Sequence, residues 1–169
     1  MAFRPSFLIV VAALFFFGGQ PIKVKMLYSP DRQVVVRIHT VDSDSVNAES
    51  VVEIRKANGK LLAFRNFVSK DHQHGAGVMK GQWTTDSTFF VFSTILSGGA
   101  EAGHFPTYFF SRKDNKIRSV DSLMQMRISD PEFFIDPDEI IVVTGIDVKS
   151  NGELGDTLSR AAHLNDLSE

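Results

Sequence analysis

The sequence predicts an all-β protein, an antiparallel meander of about three repeated units laid out as an open sheet or a sandwich. Three observations carry this. Short runs of β-branched and aromatic residues recur along the chain, each bounded by Gly, Pro, Asn, Asp or Ser, which is the pattern of strands and not of amphipathic helices. Three dipeptides, Asn58-Gly59, Asp114-Asn115 and Asn151-Gly152, mark hairpins, because these residues accept the positive φ that tight turns demand. A segment centred on an aspartate occurs three times, and each time it leads into an apolar run.

The elements follow in order from the N-terminus. Arg4, an apolar run from Phe7 to Phe17 and the small residues Gly18 and Gly19 have the build of a secretory signal. The run is shorter than the ~20 residues that a membrane span needs. Residues 1–19 are therefore expected to be a leader, and residues 20–152 an all-β domain. Strands are expected at Val24–Leu27, Val34–Val41, Ser50–Arg55, Leu61–Phe67, Phe89–Ile95, Thr107–Arg112, Lys116–Asp121 and Ile140–Lys149. Two loops, Asp71–Gly77 and Ser97–Pro106, are longer than a hairpin needs, and long loops on a β scaffold are where recognition is carried. Residues 153–169 form a C-terminal tail. Leu158, Ala161, Ala162 and Leu164 in it suit a short helix of about three turns with Asp156 near its cap, a length that is marginal without packing.

Composition narrows the function classes. With 43% hydrophobic and 22% charged residues in 169, the chain can bury one sizeable core. Its 15 phenylalanines against two tyrosines place most of the aromatic surface there. The absence of cysteine excludes disulfides, thiolate metal sites and a Cys nucleophile, so an exported form relies on its core alone. The net charge of −2 excludes a nucleic-acid footprint, and the basic residues Arg112, Lys113, Lys116 and Arg118 surround a turn and are interrupted by Asp114. No asparagine lies in a glycosylation acceptor, which suits a periplasmic or secreted bacterial protein.

The aspartate segments are Tyr28-Ser29-Pro30-Asp31, Trp83-Thr84-Thr85-Asp86 and Ile135-Asp136-Pro137-Asp138, with the last aspartates 55 and 52 residues apart. In each, the carboxylate is expected to cap backbone N–H groups of the turn entering the next strand. Tyr28-Ser29-Pro30-Asp31, and Trp83-Thr84-Thr85-Asp86-Ser87 followed by Phe90-Val91-Phe92, resemble the repeat of TolB-like β-propellers. The resemblance implies propeller-blade-like units and a role in binding protein partners. Arg32, Ser87 and Glu139 stand where that repeat usually has glycine. Three units are fewer than the ~4–8 blades that close a propeller.

Candidate chemistry is sparse. No nucleophile elbow and no glycine-rich phosphate loop is present, so no cofactor is implied. His72 and His74 would point the same way in an extended segment and, with His104, offer three imidazoles to a metal. His104 and Phe105 in the second loop, with Tyr108 just beyond it, offer an aromatic surface for a partner. The expected function is a non-enzymatic binding module of the cell envelope, whose partner is another envelope protein or a second copy of itself. The alternative is a small metal-dependent hydrolase using the loop histidines.

Overall fold

The computed structural model describes residues 15–17, 20–41, 48–99, 101–150 and 152–168. The chain is nearly all β and forms three antiparallel sheets, each a meander of sequential strands. The first holds β1 (Phe15–Phe17), β2 (Gln20–Tyr28), β3 (Val34–Val41), β4 (Glu49–Lys56) and β5 (Leu61–Asn66). The middle sheet holds β6 (Ala76–Trp83), β7 (Phe89–Leu96), β8 (Thr107–Ser111) and β9 (Lys116–Ser119). The third holds β10 (Phe133–Asp136), β11 (Glu139–Val148) and β12 (Leu154–His163). A short helix α1 (Val120–Met124), capped by the Ser119 hydroxyl on Ser122 N–H, follows β9. Most of the expected leader lies outside the described residues; Phe15–Phe17 within it pair with Gln20–Ile22.

The expected hairpins form at Asn58-Gly59, at Asp114-Asn115 and across the turn carrying Gly152. Gly59, Asn115 and Gly152 take the positive φ those turns require. Four differences from the sequence reading have physical causes. The tail segment expected as a helix is strand β12, because the preceding hairpin turn feeds it onto β11 over its whole length. Val120 and Asp121 leave the expected strand for the helical turn Val120–Met124, which Ser119 caps. Strand β10 forms by pairing with β11 through the two-residue turn Pro137-Asp138. Strand β6 contains two glycines that weaken a strand signal, yet Gly81 is needed for close approach: a Cβ there would lie 2.7 Å from Phe90 Cζ.

The middle sheet has a core on each face. Phe90, Phe92 and Phe110 face the first sheet and pack with Val34, Val36, Ile38, Val52, Ile54 and Trp83. Phe89, Val91 and Phe109 face the third sheet and pack with Ile128, Phe133, Ile140, Val142 and Leu164. Alternating residues of β7 and β8 thus serve two cores, as expected of strands buried on both sides.

One end of the first two sheets is clamped by polar contacts. Arg112 Nη1 donates to Asp31 Oδ2 at 2.6 Å and to the Ser87 carbonyl, and Asp31 N–H donates to Ser87 Oγ at 3.0 Å. Trp83 Nε1 donates to the Leu27 carbonyl at 3.1 Å, so the two sheets are tied by side chains as well as by packing. Hydrogen bonds from Ser29 Oγ, Arg112 and Gln33 N–H hold the Asp31 carboxyl at about 2, against a partial opposing effect of desolvation. Arg112→Ala is expected to lower stability by about 1 kcal/mol in urea unfolding, the scale of a partly exposed ion pair. Combined with Asp31→Asn, its effect should fall short of additive. Full additivity would mean that the contact carries no coupling.

Candidate functional site

The end of the sheets opposite that clamp carries the two long loops, between β5 and β6 and between β7 and β8. The first loop is built around a turn that also occurs twice at the clamped end. At Ser29–Val34, Arg32 N–H donates to Ser29 O, Ser29 Oγ to Asp31 Oδ1, Gln33 N–H to Asp31 Oδ1 and Val34 N–H to Ser29 Oγ. At Thr84–Phe89 the same four bonds run from Ser87, Thr84, Thr88 and Phe89. At Ser69–His74 they run from His72, Ser69, Gln73 and His74. The residue after each aspartate, Arg32, Ser87 or His72, has φ of 58°, 66° or 56°. The third copy of the turn is therefore centred on Asp71, not on Asp138. Asp138 sits in the tight β10–β11 turn and accepts from Asn165 Nδ2 at 2.7 Å. The turn's sequence signal is a Ser or Thr two residues before the Asp, which Ser69-Lys70-Asp71 shares with Ser29-Pro30-Asp31 and Thr84-Thr85-Asp86 and which Asp138 lacks.

That geometry decides the fate of the histidine pair. Left-handed backbone at His72 breaks the extended segment in which His72 and His74 would share a face. His74 Nδ1 lies 2.6 Å from Asp71 Oδ2, whereas His72 Nδ1 stands 3.8 Å from Glu49 Oε2. His74, then Ser69 and Gln73, hold the Asp71 carboxyl well below the usual range. His104 is held elsewhere, with Nδ1 2.5 Å from Glu101 Oε2 and Nε2 3.0 Å from Asp121 Oδ1. Neither of its ring nitrogens is left over for a metal. Among the described residues, no group of three or more His, Asp or Glu is arranged to hold an ion.

The proposed aromatic surface is also partly absorbed by the fold. Tyr108 stacks on Phe92 at 5.4 Å and carries Arg65 over its ring, and burial pushes its phenol up. Phe105 N–H donates to the Ile128 carbonyl, so the second loop is fastened to the segment after α1. His104, Phe105 and Tyr108 thus anchor the loop more than they form its tip.

The two loops do meet. Ser97 N–H donates to the Gly75 carbonyl at 2.9 Å, and a Cβ on Gly98 would lie 2.6 Å from the Gln73 carbonyl oxygen. Beneath them lies the fully buried Glu49 carboxylate. Its Oε2 accepts from Ser69 N–H at 2.7 Å and its Oε1 from Gly75 N–H at 2.6 Å, while the one hydroxyl hydrogen of Ser69 Oγ is shared between Oε1, at 2.7 Å, and Asp71 Oδ1, at 2.9 Å. Burial works to raise the Glu49 pKa, but these donors and the nearby His72 outweigh it and hold the group below its ordinary value. Lys70, Asp71, His72, Gln73 and His74 stand exposed on this support. Beside the second loop, Gly103, Asp130, Gly145 and Thr157 line an open cleft of about 320 Å³.

Fold and site together define a β scaffold of stacked sheets that presents two joined loops at one end. No protein-family model and no curated protein matches the chain. A crystal structure of a protein from Lactobacillus plantarum, a structural-genomics target, aligns with a TM-score of 0.40 at 14% identity over 79% of this chain. The alignment spans 40% of that protein's length. Among the described residues, no helix is long and apolar enough to cross a membrane.

Proposed function

We propose that this chain is an exported, non-enzymatic interaction module of the cell envelope that binds a protein partner through its joined loops. The observation that carries the reading is the contact of the two loops over Glu49. A buried carboxylate that fixes a backbone leaves the exposed residues Lys70–His74 in one conformation, which lowers the ordering cost of binding. The leader-like N-terminus supports export, and the turn shared by the first two sheets supports a TolB-like repeat as the source of the scaffold.

The test is affinity capture from envelope extract with the full chain as bait. Lys70→Glu with Gln73→Ala alters the exposed tip and leaves the Ser69, Gly75 and Glu49 contacts in place. Its expected effect is a loss of about tenfold or more in partner recovery, the scale of central contact residues, with an unchanged unfolding midpoint. Equal recovery by both proteins would remove the loops from the binding face.

A further inference from the structure

We propose that β12 is an edge strand that pairs antiparallel with β12 of a second copy of this chain, about a two-fold axis at Leu158. This is a surface separate from the loops. Among the described residues, the first two sheets each contain a four-stranded meander, β2–β5 and β6–β9, whereas the third stops at three strands with β12 outermost. Strand β12 is ten residues long, and all of them but Gly155 and Ala162 are exposed. Long, uncovered edges are templates for another strand, and natural proteins usually blunt them with short length, charge or proline. Here the described part of the strand has no proline, and its two formally charged residues are Asp156 and Arg160.

The backbone and the side chains agree on one register. The Leu158 carbonyl accepts from Thr144 Oγ1 and Leu164 N–H donates to the Asp138 carbonyl, so from Leu158 to Leu164 the even-numbered residues turn their backbone groups toward β11; before the bulge, Glu153 does so, its carbonyl accepting from Lys149 N–H. Thr157, Ser159 and Ala161 therefore turn theirs outward. An antiparallel partner must match outward residues with outward residues. Centring the pair on Leu158 does so, setting Thr157 opposite Ser159 of the partner subunit and Leu158 opposite Leu158 of the partner subunit. The same register brings Asp156, at the bulge near the start of the strand, level with Arg160 of the partner subunit, and by symmetry this happens twice. Centring on Arg160 would oppose two arginines, and centring on Ser159 leaves Asp156 facing Ala162. Leu158 and Leu154, 47% and 70% exposed, are the apolar surface such pairing would cover.

The absence of cysteine makes the register testable in the full chain. Leu158→Cys places one thiol directly opposite itself at a closely spaced, non-hydrogen-bonded position, where a disulfide can close. Ala162→Cys, four residues from the axis, has no matching thiol opposite it. Under mild oxidation the Leu158→Cys chain should form a covalent dimer several-fold faster than Ala162→Cys. In light scattering, Arg160→Asp should shift the unoxidised protein toward monomer, and adding Asp156→Arg should restore the dimer. Equal crosslinking of the two cysteine variants, or a wild-type chain that stays monomeric, would overturn the proposal. Association through any other surface would not follow this charge reversal, and loss of partner capture by the loop variant would leave it unaffected.

Discussion

Phe90→Ala is expected to destabilise the protein by about 3–5 kcal/mol, the range for truncating a buried aromatic in a packed core. Phe90 is fully buried, stacks on Phe92 at 5.8 Å and tilts against Trp83 at 5.3 Å. Its ring also fills the space left by Gly81, so truncation opens a cavity that β6 cannot fill without moving its backbone. The cavity would lie between the first and middle sheets, and Trp83, whose indole reaches across to Leu27, lines it. Phe64→Ala is the control, because that ring is 54% exposed on β5 and should cost well under half as much. Urea unfolding with both variants measures the difference through the midpoint at constant slope. Near-equal effects would mean that the first and middle sheets are not packed through Phe90.

What the sequence disclosed depended on whether the signal was local. Strand β3 is expected at Val34–Val41 and is found there, because a β-branched run follows directly on a turn whose four defining hydrogen bonds are made within six residues. Strand β6 was not foreseen. Its glycines read as loop residues, and the reasons for them, the Phe90 ring against Gly81 and the Ala48 carbonyl against Gly77, lie elsewhere in the chain. The tail reads as a helix because Leu158, Ala161 and Ala162 stand at helical spacing, i, i+3 and i+4, and the pairing with β11 overrides that local pattern. At the candidate site, the two loops were foreseen as working elements, but their contact through Ser97 and Gly75 rests on the path of β7 and was invisible. The histidines drew attention as metal ligands because their residue type is conspicuous. The placement of His72 and His74 is set instead by Ser69 and Asp71, two ordinary turn residues that carry the same bonds as Ser29 and Asp31, and that of His104 by Glu101 and Asp121.

Glu49→Gln is expected to destabilise the protein by about 1–3 kcal/mol at neutral pH, and Glu49→Ala by more, because each leaves buried donors without an ionised acceptor. Ser69 N–H and Gly75 N–H reach different oxygens of this carboxylate, so either orientation of a glutamine amide sets its NH₂ group against an N–H donor. Protonation of Glu49 itself mimics the substitution. Its pKa in the folded protein is lowered from the ordinary 4.5, so the stability it contributes is present in full above that value. It is lost as the pH falls through the lower, folded-state pKa. Asp31 and Asp86 are lowered in the same sense, so both wild type and variant should weaken in acid. The gap between wild type and Glu49→Gln should nevertheless narrow as the pH drops from 7 through the carboxylate range, since only the wild type still has this group to protonate. Urea midpoints across that range measure the gap, and one that stayed constant would show that the ionised form of Glu49 does not hold the loops. At pH 7 the same variant should also expose the backbone of residues 69–75 to faster amide exchange than the β3 and β7 cores. That would separate local release of the loops from a general loss of stability, because global unfolding would raise exchange in all three together.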